Sequence, residues 1–244
     1  MFDVRCTYIY DDVSFHSFVI SQCTNHHRFL PDDQYGVALD NLVKGCTDIL
    51  LLNPAGTHIF CGKRCVQPQP DWWFQGGRIF PGETPISSCQ RLLKRELKLD
   101  IADSRFKVVC CQAFAFGMRE QEPKDHGTTD TQFCYKLQLK DEDEVKKVVV
   151  DEDEYCDAKW LLPSEILLGN FHPALKYAVG CMLAGEALEA LQECEDKGGD
   201  DAEMAKLSRE FLKKRKDVDE LMKKNDYKLD SKELNYQTTV SSRY

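Results

Sequence analysis

The chain has 244 residues, 42% of them hydrophobic and 30% charged, with a formal net charge of −9. That balance describes a globular chain with one sizeable core and extensions, or two small domains. No apolar run is long enough to span a bilayer, and an acidic surface disfavours broad contact with nucleic-acid phosphates while leaving room for a local basic pocket that takes one nucleotide. Residues 1–12 show neither a basic-then-apolar secretory pattern nor an arginine-rich transit pattern, so the expected compartment is cytoplasmic. The twelve cysteines then read as reduced, mostly buried thiols. Cys61/Cys65 and Cys110/Cys111 do not repeat as CxxC, and no nearby histidines complete a zinc set.

Along the chain, a short apolar alternation between Tyr8 and Ile20 gives way to a polar stretch through His26, His27 and Pro31. Val37, Leu39, Leu42 and Val43 have helical spacing. The continuous apolar run from Ile49 to Leu52 predicts a buried strand, Asn53-Pro54-Ala55-Gly56 a turn, and residues 57–61 a returning strand that leads into Gly62-Lys63-Arg64. The aromatic cluster Trp72-Trp73-Phe74 precedes Gly76-Gly77, and Pro81-Gly82 marks another turn. Thr84 before Pro85 is a helix start, a hydroxyl cap followed by proline in the first turn, with the helix running to about Lys98. Strands are predicted over residues 106–116, 131–139 and 155–161, with a functional loop over 119–130. A short helix follows at Pro163-Ser164, and a longer one from Pro173. In the charged tail, Met204, Leu207, Phe211, Val218, Leu221 and Met222 recur at spacings of three, four and seven, with Lys214 within the stripe. This predicts an amphipathic helix or short coiled coil, a route to a homodimer or a protein partner.

Residues 77–99 carry the motif that bears on chemistry. Gly77, Glu83 and Arg91 are separated by five and seven residues, and Arg91 is followed by Leu92-Leu93-Lys94-Arg95-Glu96-Leu97-Lys98-Leu99. This resembles the Nudix box, whose helix half ordinarily supplies three glutamates. Here Leu92 and Arg95 stand at two of those positions, Lys98 replaces the glycine, and Glu96 remains. Positions 92, 95 and 96 share one helix face. Three carboxylates there would form a hard-oxygen site for several Mg²⁺ ions; a leucine, a cation and one carboxylate support one ion at most.

The resemblance extends over roughly residues 35–180 and is similar to the GDP-mannose mannosyl hydrolase branch of the Nudix family, through Gly62-Lys63-Arg64, Trp73-Phe74, Asp48 at the first strand, Trp160-Leu161-Leu162-Pro163 and Asn170-Phe171-His172. It implies a Nudix α/β (α+β) fold, a mixed sheet sandwiched between helices, over residues 46–183. An N-terminal extension over 1–45 packs on it, and a charged helical tail covers 184–244. It implies one Mg²⁺ held by Gly76, Glu96 and Glu154, with Arg64 neutralising a departing diphosphate and Asp48 assisting. Arg64, Arg78 and Trp73 would bind a nucleoside-diphosphate sugar, with water attacking the anomeric carbon. Tyr155 stands where that branch has its catalytic histidine, and a phenol titrating near ~10 is a poor base; His126 and His172 are conceivable substitutes. Gly77, Gly82, Glu83 and Arg91 read as structural, with Glu83 and Arg91 pairing to lock the loop onto the helix. The alternative is a catalytically weak or inactive Nudix-fold protein that binds a nucleotide or serves as a scaffold.

Overall fold

Every residue from Ile49 to Leu52 is at most 2% exposed. Apolar side chains pointing both ways require cover on both faces, and the strand that carries them, β1 (Lys44–Leu52), receives it. Ile49 and Leu51 join Phe60, Leu93 and Leu97 on one side. Leu50 and Leu52 join Ile59, Cys61, Ala178 and Val179 on the other, the two-residue period of a strand dividing them. The first face is covered by α2 (Pro85–Leu97) and the second by α5 (Pro173–Asp196). The computed structural model describes residues 27–102, 105–223, 227–229 and 232–233. The alternation between Tyr8 and Ile20, His26 and most of the last twenty residues lie outside the described residues.

β1 pairs in parallel with β6 (Thr128–Gln138) along one edge. Its other edge is shared: β2 (Ile59–Arg64) meets it at Leu51 and Leu52, and β4 (Gln75–Arg78) at residues 46–49, both antiparallel. β5 (Lys107–Phe116) extends the sheet beyond β6, while β3 (Trp72–Trp73) and β7 (Tyr155–Leu161) pair with β2. The result is a mixed seven-stranded sheet between helices, an α+β architecture of the expected kind. The shorter helices are α1 (Asp32–Asn41), α3 (Glu142–Lys146) and α4 (Pro163–Leu168). The chain continues through α6 (Asp201–Leu221) to a small hairpin, β8 (Lys228–Leu229) and β9 (Lys232–Glu233).

Local chemistry explains most element ends. Asn53 Oδ1 accepts from the amides of Thr57 (2.8 Å) and His58 (3.0 Å), closing the turn between β1 and β2. Thr84 Oγ1 accepts from Ser87 N (3.1 Å) and Ser87 Oγ from Thr84 N (2.9 Å), so the start of α2 is a reciprocal cap followed by Pro85. β6 begins at Thr128, three residues earlier than the sequence pattern suggests, because Gly127 turns the chain with φ 72° and brings Thr128 opposite Phe116. β3 and β4 are strands only by virtue of their partners, since Gln75-Gly76-Gly77-Arg78 carries no alternation. The acidic α3 was also unanticipated; Asp141 caps it by accepting from Asp143 and Glu144.

Six of the ten described cysteines are buried, and all ten are free thiols. Cys110 is buried and its neighbour Cys111 exposed, as alternation on β5 requires. Burial pushes the Cys61 and Cys89 thiols up to about 12, so both stay protonated in the core. α5 runs unbroken past Ala184, and α6 packs along it. Val218 of α6 is buried in the same core as Ala178 and Val179, and a Cβ on Gly180 would lie 2.7 Å from Val218 Cγ2. The tail's apolar stripe is thus at least partly engaged within the chain. Beyond α6, the Tyr227 hydroxyl donates to Asp71 Oδ2 (2.7 Å) and accepts from Gln69 Nε2 (2.8 Å), tying the end of the chain to the loop before β3. Among the described residues, no helix is long and apolar enough to cross a membrane.

His172 caps α5: its Nδ1 accepts from Ala174 N (3.1 Å), and its ring stands edge-on to Trp73 and Tyr227. Burial pushes its pKa down to about 4. The folded state therefore takes up this proton less readily than the unfolded chain, and the neutral ring's contribution is full above about 6.5 and lost as pH falls towards 4. His172→Asn, which keeps a capping acceptor, is expected to lose less stability than the wild type across that window. Equal pH slopes in denaturant titrations of the two proteins would contradict this.

Candidate functional site

α5 covers only one end of its face of the sheet. Leu50, Leu52 and Cys134 lie under it in the core. Going back along the strands in steps of two, the same face carries Asp48, Cys46 and Lys44 on β1, then Gln132, Asp130 and Thr128 on β6. Phe114 and Phe116 of β5 sit opposite Asp130 and Thr128. There the sheet floors a cavity of about 270 Å³, walled by Tyr35 and Leu39 of α1, Arg64 of β2, Trp73, the Gly76-Gly77-Arg78 edge of β4, and Arg119.

The cations of this cavity fall into two kinds. Lys44 is paired with Asp130 at 3.1 Å. Arg119, 2% exposed, binds Asp40 at 2.6 Å and the carbonyls of Gln121, Glu122 and Gly127. It serves as the peg of the 119–130 loop. Arg64 and Arg78 have no carboxylate partner among the described residues. The Arg78 guanidinium instead lies over the rings of Tyr35 (5.1 Å) and Phe80 (5.6 Å). Thr128 also lines the cavity, and its Oγ1, itself buried, has no hydrogen-bond partner among the described residues. A buried hydroxyl left so is costly unless something else satisfies it.

Asp48 lies at the base of the cavity. Its carboxylate accepts from the Gln132 amide; Gln132 in turn accepts from Gln112 (2.9 Å), which also donates to Ala174 O (3.2 Å) at the start of α5. Burial pushes the Asp48 carboxyl up to about 7, against the opposing pull of the Gln132 bond and the Arg64 charge. Gly76 faces Asp48 across the β1–β4 pairing, and a Cβ there would collide with the Asp48 carboxylate and the Thr47 carbonyl. Glycine is required at that position for space.

The turn between β4 and α2 is a lock. Glu83 binds Arg91 through both oxygens, at 2.5 and 2.8 Å, and accepts from Phe80 N at 2.8 Å. Arg91 also donates to the Arg78 carbonyl (2.8 Å) and stacks on Phe80. Gly82 takes φ 85°, the left-handed region that glycine enters freely. Leu92, fully buried, packs against Gly77. These contacts fix the backbone of Arg78 at the cavity edge.

The remaining predicted residues form a separate group between α2 and β7. Glu96 is fully buried; its Oε1 binds Arg95 Nη2 at 2.6 Å and its Oε2 accepts from the Tyr155 hydroxyl at 2.9 Å. Arg95 Nη2 also lies 3.6 Å from Glu154 Oε1. Tyr155 rests on Gly62, where any Cβ would meet its ring. Its phenol, buried and beside Glu96, has its pKa pushed well above the usual tyrosine value. With its proton committed to Glu96, Tyr155 is not positioned as a base. His126 is exposed and faces Asp40 at 3.2 Å, and His172 is committed to its cap. None of Arg95, Glu96, Glu154 and Tyr155 lines the cavity, but the two groups adjoin: the Glu96 charge acts on Asp48, the Arg64 charge on Tyr155, and Arg95 borders the Gly77 backbone. Asp48, Arg64, Trp73, Gly76 and Arg78 meet at the cavity; Glu96, Glu154 and Tyr155 meet around Arg95.

The one-ion set of Gly76, Glu96 and Glu154 can be tested against this geometry. Mg²⁺ needs oxygen donors at about 2.1 Å. Both Glu96 oxygens are already engaged, and a guanidinium lies between Glu96 and Glu154. Among the described residues, no group of three or more His, Cys, Asp or Glu side chains is placed to hold a metal. In this arrangement the residues do not fit a divalent ion.

Sequence reasoning missed Tyr35, Phe114, Phe116, Thr128 and Gln132. The signal was there in part: polar residues at every second position of β6, Thr128, Asp130 and Gln132, lead on the same face to the buried Cys134.

The NUDIX domain family model matches residues 45–179, more than half of the chain. The chain belongs to the Nudix domain family. Similar solved structures include a MutT Nudix hydrolase from Burkholderia pseudomallei, 15% identical, covering 57% of this chain and 97% of that one with a TM-score of 0.46. A Caenorhabditis elegans Ap4A hydrolase is 16% identical over 59% of this chain and 98% of that one, TM-score 0.43. The Escherichia coli dihydroneopterin triphosphate pyrophosphohydrolase is 18% identical over 57% and 95%, TM-score 0.42. A search of curated proteins returns no significant match. Nudix hydrolases in general use divalent metal ions.

Because the Asp48 carboxyl titrates near 7 when folded and near 3.8 otherwise, its ionisation opposes folding increasingly as pH rises through that interval. Asp48→Asn should therefore gain stability over the wild type as pH rises from about 4 to about 7, and keep the gain above it. Thermal melts of both proteins across this range read the sign; a gain confined to acid pH would exclude it.

Proposed function

We propose that this Nudix domain binds a nucleoside-diphosphate ligand, a nucleotide sugar or a related molecule, in the cavity floored by β1 and β6, and that metal-dependent turnover there is weak or absent. The observation that carries this reading is the cavity's chemistry. Two arginines without a carboxylate ion pair among the described residues, Arg64 and Arg78, stand at its edge. Phosphate oxygens are the acceptors that guanidinium forks match best. The aromatic walls, Tyr35, Trp73, Phe114 and Phe116, offer faces and edges to a base or sugar. The Glu83–Arg91 lock and Gly76 hold these groups on rigid backbone.

Calorimetric titration of the full chain with GDP, ADP, UDP and GDP-mannose in EDTA tests this. Binding of at least one diphosphate is expected, weakened about tenfold or more by Arg64→Ala or Arg78→Ala, the loss of one charge-assisted contact. No binding of any member of the panel would sink the reading.

A second reading keeps the enzyme: a hydrolase of a nucleotide sugar similar to the GDP-mannose mannosyl hydrolase branch. Asp48 favours it, a buried carboxyl titrating near neutrality in the same cavity as Arg64, which pairs a group able to move a proton with one able to stabilise a departing diphosphate. Incubation with GDP-mannose and Mg²⁺ distinguishes the cases. Free sugar with GDP supports this enzyme; GMP with sugar phosphate indicates attack at phosphorus; unchanged substrate leaves the binding protein.

A further inference from the structure

The charge arrangement between α2 and β7 is unusual for a site whose family relies on divalent ions. Glu96 is a fully buried carboxylate, and such a charge is tolerated only with a partner. Its partner is the adjacent residue of the same helix. Arg95 binds Glu96 Oε1 at 2.6 Å and reaches towards Glu154 Oε1 at 3.6 Å. Tyr155 takes the other Glu96 oxygen at 2.9 Å. Leu92, on the same helix face, is buried against Gly77 and offers no oxygen. A Cβ on Gly77 would lie 3.8 Å from Arg95 Nη2, so the guanidinium also borders the glycine backbone of β4.

We infer that Arg95 is a built-in counter-cation: its guanidinium, between the Glu96 and Glu154 carboxylates, supplies the positive charge at this position and keeps divalent ions out. Two physical features support the substitution. A divalent ion at Glu96 would have to compete with the Arg95 and Tyr155 contacts to its two oxygens and would sit beside the Arg95 guanidinium, whose charge repels it. Conversely, removing the guanidinium takes away the cation between Glu96 and Glu154 and leaves two neighbouring carboxyl groups, oxygen donors that a hard cation seeks and from which it would displace any proton. Arg95 thus fixes the local charge permanently, where an ion would make it depend on metal concentration.

The test uses Mn²⁺ alone, without nucleotide, so it succeeds or fails separately from nucleotide binding. Free Mn²⁺ is followed by electron paramagnetic resonance during titration of the full-length wild type, Glu96→Gln, Arg95→Ala, Arg95→Gln and the double variant Arg95→Ala with Glu96→Gln. The wild type is expected to leave the free-ion signal unchanged. Arg95→Ala, or Arg95→Gln if alanine impairs folding as judged by circular dichroism, is expected to bind Mn²⁺ in a manner competed by Mg²⁺, and the double variant to lose that binding. Stoichiometric binding by the wild type that Glu96→Gln abolishes would overturn the inference. So would folded Arg95 variants that bind no more Mn²⁺ than the wild type, since Arg95 would then not be what excludes the ion.

Discussion

The structure depends on β1 being buried on both faces along half its length and on one face along the rest. Its C-terminal half, Ile49 to Leu52, is enclosed by α2 on one side and α5 on the other. The burial of four aliphatic side chains there, each contributing roughly 1.5–3 kcal/mol before entropic costs, fixes the strand in the middle of the sheet. Once it is fixed, the two-residue period determines everything upstream. Leu50 and Leu52 point under α5, so Asp48, Cys46 and Lys44 must point the same way, where α5 no longer covers them. The cavity is the uncovered end of a core face, and its polar floor is the continuation of an apolar row.

The second organising interaction is the Glu83–Arg91 pair. It joins the turn after β4 to the middle of α2 through two charge-assisted bonds, and Arg91 adds a bond to the carbonyl of Arg78. Neither residue lines the cavity. The pair acts by holding the edge of the cavity and the helix carrying Arg95 and Glu96 in one frame, so that the two neighbouring groups keep a fixed relation to each other.

That relation gives the site its character. At the cavity, Arg64 and Arg78 have no ion-pair partner among the described residues, although the Asp48 carboxyl lies within reach of the Arg64 charge. Between α2 and β7, negative charge is met internally by Arg95. The proposed binding of a phosphorylated ligand rests on this contrast: guanidinium groups with no ion pair among the described residues in one region, and carboxylates met by Arg95 in the other.

Much of this was legible in the sequence. The apolar run at 49–52, the Thr84-Pro85 start, the Gly77–Glu83–Arg91 spacing and the helical periodicity of the tail are local signals, because turns, caps and period-two or period-3.6 patterns arise from contacts between near neighbours. They determined the fold class, the position of α2 and the residues brought to the β4 edge. That Arg95, half exposed, reaches the Glu96 carboxylate, that Tyr155 is held by Glu96, and that Thr128, Phe114 and Phe116 share a wall with Arg64 were decided by tertiary structure alone. Those facts depend on the register between β1 and β6 and on β7 lying beside β2, pairings between segments up to about a hundred residues apart, which no local pattern encodes. The sequence by itself determined which charges the domain possesses; the packing of distant strands decided which of them are spent on one another and which remain for a ligand.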